Sequence, residues 1–201
     1  MSQKAGRERV ATIVRKTKET DIRVELALDG SGQFDVSTGI PFFDHMLESF
    51  ARHGLFDLRL QSQGDIDVDA HHSVEDVGIA LGQAFREALG SAEGIRRYGF
   101  FALPMAESLV DVAVDISNSP YMVYRVQLEN DRIGSFDASL AEDFLQALSQ
   151  HAGLDLHLTL RYWRNPHHVV EAVFKGLARA LRSAVELDPR ELGLPTVKGA
   201  L

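Results

Sequence analysis

The stretch His71-His72-Ser73-Val74-Glu75 decides the fold, because its pattern occurs again at His167-His168-Val169-Val170-Glu171. The residues that follow also match at the same offset: Leu81, Ala84, Arg86 and Ala88 correspond to Leu177, Ala180, Arg182 and Ala184. A repeat that joins histidine and glutamate to a common apolar framework is not expected by chance. We therefore interpret the chain as one ancestral unit used twice.

Composition bounds the class of protein. The 201 residues suffice for one or two compact units, and 45% hydrophobic with 25% charged residues is typical of a globular protein. The chain has no cysteine, which excludes disulfides, thiolate metal ligands and a cysteine nucleophile. Neither a signal segment nor a membrane-spanning run is visible, so we expect a cytoplasmic protein without a membrane partner. The net charge of −8 argues against nucleic-acid binding but permits a small anionic substrate.

Apolar periodicity predicts the elements of the first half. Alternation predicts strands over 10–14, 22–28 and 33–37, and helical spacing predicts a helix from residue 42 to 53 that ends at Gly54. A further strand pair is predicted from residues 56–60 and from Ile66 and Val68, with its turn at Ser62-Gln63-Gly64-Asp65. The first His-His-x-x-Glu motif then begins a helix that runs to about Leu89.

The second half repeats this order. Strands are predicted at 109–114, 123–128 and 154–160, and helices at 141–150 and 167–185. Glu19 aligns with Glu107, and His45 with Asp143. The expected fold class is therefore α+β, with two similar units at 1–92 and 93–201. Each unit is expected to be an antiparallel sheet with helices on one face, and the two should pack helix against helix as one compact domain.

Helical geometry turns the motifs into metal-ligand predictions. Residues i and i+4 share a helix face, so His71 and Glu75 can bind one metal, whereas His72 lies about 100° round the helix and points to another. We expect two metals, each held by a His/Glu pair from one helix and a lone histidine from the other. The complete predicted ligand set is His45, His71, His72, Glu75, Asp143, His167, His168 and Glu171. Imidazole and carboxylate ligands suit Mn, Fe, Ni, Co or Zn.

Several motifs together resemble the imidazoleglycerol-phosphate dehydratase family of histidine biosynthesis over nearly the whole chain. They are Thr17-Lys18-Glu19-Thr20, residues 38–47, residues 71–76, Arg97-Tyr98-Gly99, Asn165-Pro166-His167-His168, Phe174-Lys175 and Lys198-Gly199. The resemblance implies a duplicated fold of the ribosomal protein S5 domain 2-like type, two Mn ions per active site, and twenty-four subunits with sites formed between neighbours. The implied reaction is loss of water from imidazoleglycerol phosphate, a small phosphorylated imidazole, to give imidazoleacetol phosphate.

The resemblance also implies residue roles. Glu19 would be the catalytic proton shuttle, and the substrate-binding residues would be Glu19, His45, His53, His71, Glu75, Arg97, Lys175, Thr196 and Lys198. On the residues alone, Glu19 is better interpreted as an exposed glutamate at a strand edge, and His53 as a helix-dipole contact. Lys175 lies four residues after Glu171 and should therefore be near the metals.

The chain departs from the family pattern near the reacting centre and the phosphate. Ala106 stands where the family usually has aspartate, Ser119 where it usually has an arginine on the phosphate, Trp163 where glycine is common, and Asp143 often corresponds to histidine. Loss of the arginine should weaken substrate binding about tenfold or more, because charge-assisted bonds contribute roughly 1.5–3 kcal/mol each. Two alternatives therefore stay open: a divergent paralogue with altered substrate or weak activity, and a non-catalytic metal-binding oligomer.

Overall fold

The first half of the chain folds into a four-stranded sheet and two helices. The computed structural model describes residues 8–66, 69–128 and 132–199. The elements of this half are β1 (Val10–Lys16), β2 (Thr20–Ala27), β3 (Phe34–Ser37), α1 (Pro41–Gly54), β4 (Asp57–Gly64) and α2 (His71–Leu89). In the described part of the chain, no helix combines the length and apolar character that a bilayer span requires.

The second half repeats this order and inserts a small hairpin. Its elements are β5 (Tyr98–Met105), β6 (Ser108–Asp115), β7 (Tyr121–Arg125), β8 (Arg132–Ile133), β9 (Phe136–Asp137), α3 (Leu140–Ala152), β10 (Asp155–Tyr162) and α4 (Pro166–Val185). The β8–β9 hairpin has no counterpart in the described residues of the first half. The α+β class and the duplication are confirmed, whereas the division at residue 92 stays a prediction.

Both sheets share one topology. The strand order is β1-β2-β4-β3 in the first and β5-β6-β10-β7 in the second. In each sheet one of the two edge strands pairs in parallel, β3 with β4 and β7 with β10. The prediction of wholly antiparallel sheets was therefore wrong in this detail. The reason is the connection: a helix crosses over between the two paired strands, which returns the chain in the same direction.

Helices from the two halves pack against each other, as predicted. Helix α2 covers β1 and β2, α4 covers β5 and β6, and across the halves α2 packs on α3 and α1 on α4. Phe43 and Phe144 meet edge to face in this layer, with ring centroids 5.3 Å apart. Gly78 and Gly82 permit the close approach of α2, since a Cβ at either would lie less than 3 Å from a carbonyl oxygen of α3.

Some predicted elements were wrong or displaced. Residues Ser62-Gln63-Gly64 continue β4 rather than forming a turn, and Ile66 is not in a strand. Val68 lies outside the described residues. The strand expected at 123–128 is β7 at Tyr121–Arg125, and β5 was missed. Gly99 and Pro104 interrupt its alternation, although the duplication requires a strand there as the counterpart of β1.

Candidate active site

A histidine–carboxylate cluster lies where α1 meets α4. His45 projects from α1, and His167 and Glu171 project from the first turns of α4. Their candidate ligand atoms all lie within 4.8 Å of one another, which makes this the one group of three or more such residues in the described ranges. Nε2 of His167 is 3.4 Å from Oε2 of Glu171, and Nε2 of His45 is 3.9 Å from Oε1. We call these residues the His45 cluster.

Glu171 is the buried member of this cluster, at 7% exposure. Burial opposes ionisation, but the hydrogen bond from Lys175 and its positive charge outweigh burial and lower the pKa of Glu171. Nζ of Lys175 lies 2.6 Å from Oε1 of Glu171, one helical turn away as the sequence predicted. Glu171 is therefore held as a carboxylate, the form in which it can bind a cation.

The corresponding residues of the other repeat form a second group, the His71 group. His71 and Glu75 lie on α2 and Asp143 lies on α3. Nδ1 of His71 is 3.3 Å from Oδ2 of Asp143, and its Nε2 is 3.8 Å from Oε2 of Glu75. This group is more open than the first, because the side chain of Glu75 is 50% exposed.

The second histidine of each motif faces the hairpin of its own half. Nδ1 of His72 lies 3.7 Å from Oε2 of Glu19 and 3.6 Å from Oδ2 of Asp65. Nδ1 of His168 lies 3.1 and 3.0 Å from the two carboxylate oxygens of Glu107. Among the described residues, neither His72 nor His168 joins the His45 cluster. The predicted pairing of a His/Glu pair with a lone histidine of the other helix is thus not formed within one subunit.

A partly buried ion pair supports the turn that carries Glu19. Asp76, on α2 directly after Glu75, accepts hydrogen bonds from Nε and Nη2 of Arg15 at 2.9 and 2.7 Å. Its other oxygen accepts from Oγ1 of Thr20 at 2.5 Å. Thr17 Oγ1 in turn accepts from the backbone N–H groups of Glu19 and Thr20. The hairpin is thereby fixed to the helix that bears His72.

Three of the predicted substrate-binding residues converge in one cavity of about 850 Å³. Arg97, Thr196 and Lys198 line it, and Ser119 lines it as well. The C-terminal segment reaches this place because it is strapped to residues 94–97: Gly94 N–H donates to Gly193, and Nη1 of Arg97 donates to the carbonyl of Pro195. A site whose members lie a hundred residues apart in sequence is therefore assembled in the fold.

The charge of this cavity is mixed. Arg97 binds Asp115 through Nε and Nη2 at 2.6 and 3.0 Å, and this pairing raises the pKa of Arg97. Asp155 and Glu191 also line the cavity. Arg97 still has N–H groups to donate, since a guanidinium carries five. Of the two cations that line the cavity, Arg97 is paired with Asp115, whereas Lys198 makes no ion pair with another described residue.

Lys175 and His53, which were also predicted to bind the substrate, lie outside this cavity. Lys175 belongs with Glu171 and does not line the cavity of Arg97. His53 ends α1 half-buried, and burial, followed by the positive charges of Lys175 and Arg179, lowers its pKa. His53 is therefore neutral near pH 7 and close to the same lysine as the His45 cluster.

Two supporting carboxylates escaped the sequence-based prediction. The sequence identifies Glu107 only as the repeat counterpart of Glu19, although the same alignment predicts that it lies beside His168. Asp76 belongs to the motif at residues 71–76, but the sequence alone predicts no role for it. Its burial and its bond to Thr20 depend on a long-range contact between α2 and β1–β2 that no local pattern contains.

The fold and these groups define a class: a duplicated α+β protein whose helices bring histidine and carboxylate ligands together in repeat-related groups. The family model described as imidazoleglycerol-phosphate dehydratase matches residues 38–181. Proteins named imidazoleglycerol-phosphate dehydratase from Symbiobacterium thermophilum and from Geobacter sp. strain M21 are 55% and 54% identical. These two alignments each cover 96% of this chain, with 93% and 99% of the relatives.

Solved structures agree with this match. The enzyme of that name from Staphylococcus aureus superposes with a TM-score of 0.81 at 34% identity, covering 89% of this chain and 99% of its own. The Pyrococcus furiosus enzyme in complex with (S)-C348 superposes with a TM-score of 0.82 at 38% identity, covering 94% and 100%. The chain belongs to the imidazoleglycerol-phosphate dehydratase family and is a hydro-lyase.

Proposed function

We propose that this protein removes water from imidazoleglycerol phosphate to form imidazoleacetol phosphate in histidine biosynthesis. The observation that carries the proposal is the family match across residues 38–181, which spans both histidine motifs and the His45 cluster. The comparisons do not favour the alternatives of a divergent paralogue or a non-catalytic oligomer, because identity above 50% extends over 96% of the chain.

The donor set fits a borderline divalent metal such as Mn²⁺. The described ligands are imidazole nitrogens and carboxylate oxygens, which suit this type of ion. The ionised, buried Glu171 would hold one ion with His45 and His167, and Glu75 would hold another with His71 and Asp143. Two ions per site are part of the proposal. When bound to the substrate imidazole, such ions supply Lewis-acid stabilisation of the negative charge that develops on the ring.

The remaining steps fall to side chains of this chain. Glu19 is exposed beside His72 on a rigid turn, and we assign it the proton transfer at the substrate carbon and the leaving hydroxyl. Lys198, Thr196 and the unpaired N–H groups of Arg97 would bind the phosphate in their shared cavity.

The proposal includes a homo-oligomer of twenty-four subunits that shares its sites. It is supported by the placement of His72 and His168 outside the His45 cluster of their own subunit, which leaves them available to a neighbour's metal. Light scattering should give a mass near that of twenty-four chains, and a stable monomer with full activity would refute the shared site. A cytoplasmic location also belongs to this proposal and can be tested by cell fractionation.

The decisive experiment is a product assay on the purified full-length protein loaded with Mn²⁺. Imidazoleglycerol phosphate should be consumed with stoichiometric formation of imidazoleacetol phosphate, and removal of the metal with a chelator should abolish the reaction. A protein that is fully loaded with metal and still forms no imidazoleacetol phosphate would contradict the proposal.

A further inference from the structure

Glu107 holds His168 far more firmly than its repeat counterpart Glu19 holds His72. Both oxygens of Glu107 lie within hydrogen-bond distance of Nδ1 of His168, at 3.1 and 3.0 Å. The corresponding separation between Glu19 and His72 is 3.7 Å, which is too long for a hydrogen bond. The two repeats therefore present the same pair of residue types in two different states.

Other contacts fix Glu107 in this position. Its Oε1 accepts a hydrogen bond from the backbone N–H of Asn165 at 3.0 Å, and Oγ of Ser108 lies 3.5 Å from the same oxygen. Asn165 caps α4, since its Oδ1 accepts from the N–H of His167. The turn between β5 and β6 is thus joined through one carboxylate to the first turn of the helix that carries His168.

A carboxylate can only accept, so Nδ1 of His168 must be the donor. That bond fixes the tautomer in which Nδ1 is protonated and Nε2 carries a lone pair. A histidine that binds a metal commonly donates its other ring N–H to a carboxylate, which sets the ring orientation and raises its basicity.

We propose that Glu107 is a positioning residue that holds His168 with Nε2 free to bind a metal ion. The duplicated Glu–His pairs have then divided their roles: Glu107 orients a ligand, while Glu19, which accepts no hydrogen bond among the described residues, can move a proton. This inference rests on the metal dependence in the proposed function. It concerns metal affinity rather than turnover, so the two can be tested separately.

The test measures Mn²⁺ binding to the metal-free, assembled full-length protein by calorimetry and electron paramagnetic resonance, without substrate. Glu107→Ala removes the acceptor, and the affinity of the affected site should fall about 10- to 100-fold. Glu107→Gln keeps an oxygen that can accept from both Asn165 and His168, and it should rescue the affinity to within a few-fold of wild type. In Glu107→Asn the shorter side chain no longer reaches His168, although asparagine is well suited to a turn. This variant should therefore bind Mn²⁺ as weakly as Glu107→Ala, and it takes the place of Glu107→Ala if that variant does not fold.

Ser108→Ala is the matched control, because it removes a different contact of Glu107 and leaves His168 bonded. It should bind Mn²⁺ like wild type even where its melting temperature falls. Wild-type affinity in Glu107→Ala or Glu107→Asn would overturn the inference, and so would a Glu107→Gln variant as weak as Glu107→Ala. A failure of the dehydration assay alone, with these affinity changes present, would contradict only the proposed function.

Discussion

The first half of the chain leaves its motif glutamate open to solvent, whereas the second half encloses the corresponding residue. The side chain of Glu75 is 50% exposed, and that of Glu171 is 9% exposed and bonded to Lys175. The position that corresponds to Lys175 in the first half is Ile79, which cannot pair with a carboxylate. Corresponding positions in the two repeats therefore form two electrostatically different ligand groups.

The β1–β2 and β5–β6 hairpins also differ in how their turn glutamates, Glu19 and Glu107, are held. In the first half the turn of Glu19 is anchored from beneath by the Arg15–Asp76–Thr20 network, and its carboxylate is left open. The corresponding positions in the second half are Leu103, Ala172 and Ser108, which are all buried. There the carboxylate of Glu107 is itself the anchor. A duplicated fold can thus keep a residue type in both copies while the surrounding contacts decide whether it reacts or supports.

Replacement of Glu19 by Gln should have the largest effect on activity. The amide cannot accept the proton, so kcat should fall about 10²- to 10⁴-fold, the range typical of general acid–base catalysis. The affinity for Mn²⁺ should stay unchanged, since the Glu19 carboxylate makes no hydrogen bond to His72. Steady-state assays at saturating Mn²⁺ measure this, with Glu87→Gln on the exposed end of α2 as the control. If Glu107→Gln lowered kcat as much as Glu19→Gln, the proposed division of roles would be wrong.

Replacement of Asp76 by Asn should have the next largest effect. It leaves the Arg15 guanidinium without its charged partner in a partly buried place, and the free energy of unfolding should fall by about 2 kcal/mol. The turn of Glu19 is then held less firmly, so kcat should also fall. Denaturant titration and steady-state kinetics measure the two effects.

The matched control for this change lies in the same hairpin. Asp21 pairs with Lys16 on the surface, where both side chains are largely exposed, so Asp21→Asn should cost less than about 1 kcal/mol. Equal destabilisation by Asp21→Asn and Asp76→Asn would show that the buried network is no special support for the first hairpin.

Most of the fold followed from the sequence because the duplication makes each half a check on the other. Helices α2 and α4 begin at the histidine motifs and each buries one face, which is a strong local signal. The errors fell where the local signal is weak or ambiguous. Residues 62–64 look like a turn, yet β4 continues through them because β2 supplies partners as far as Thr20 opposite Gly64. The parallel edge strands depend on a crossover that apolar alternation cannot reveal.

The candidate site was predictable in its residue types and less so in its grouping. Helical spacing placed His71 with Glu75 and His167 with Glu171, and the structure brings each pair together. Helical spacing could not identify the contact partners of His72 and His168, because these partners come from hairpins distant in sequence. The separation of Lys175 from the cavity of Arg97 also depends on tertiary packing.

Introduction of Arg at position 119 tests a third difference between the halves. Ser119 lies in the β6–β7 loop and lines the cavity of Arg97 and Lys198, so Ser119→Arg should lower KM for the phosphorylated substrate about tenfold. In the corresponding β2–β3 loop, the backbone N–H of Ser31 donates to Asp57 instead. Ser31→Arg is therefore the control and should leave KM unchanged. An unchanged KM in Ser119→Arg would indicate that the substrate phosphate does not bind in this cavity.

The smallest expected effect is a change in the free energy of unfolding when the strained turn of the second hairpin is altered. Ala106 and Glu107 form the two-residue turn between β5 and β6. Ala106 has a φ of 49°, a conformation that costs an alanine roughly 1–2 kcal/mol. Ala106→Gly relieves this strain, partly offset by the greater freedom of glycine in the unfolded chain, and should raise the free energy of unfolding by up to about 1 kcal/mol. Ala102→Gly on the neighbouring strand β5 has no such strain to relieve and should lower it by about 0.5–1 kcal/mol. Denaturant titrations measure both changes in the free energy of unfolding. If Ala106→Gly raises it and Ala102→Gly lowers it, the second hairpin keeps Glu107 in place at a conformational cost. Changes of the same sign would refute this conclusion.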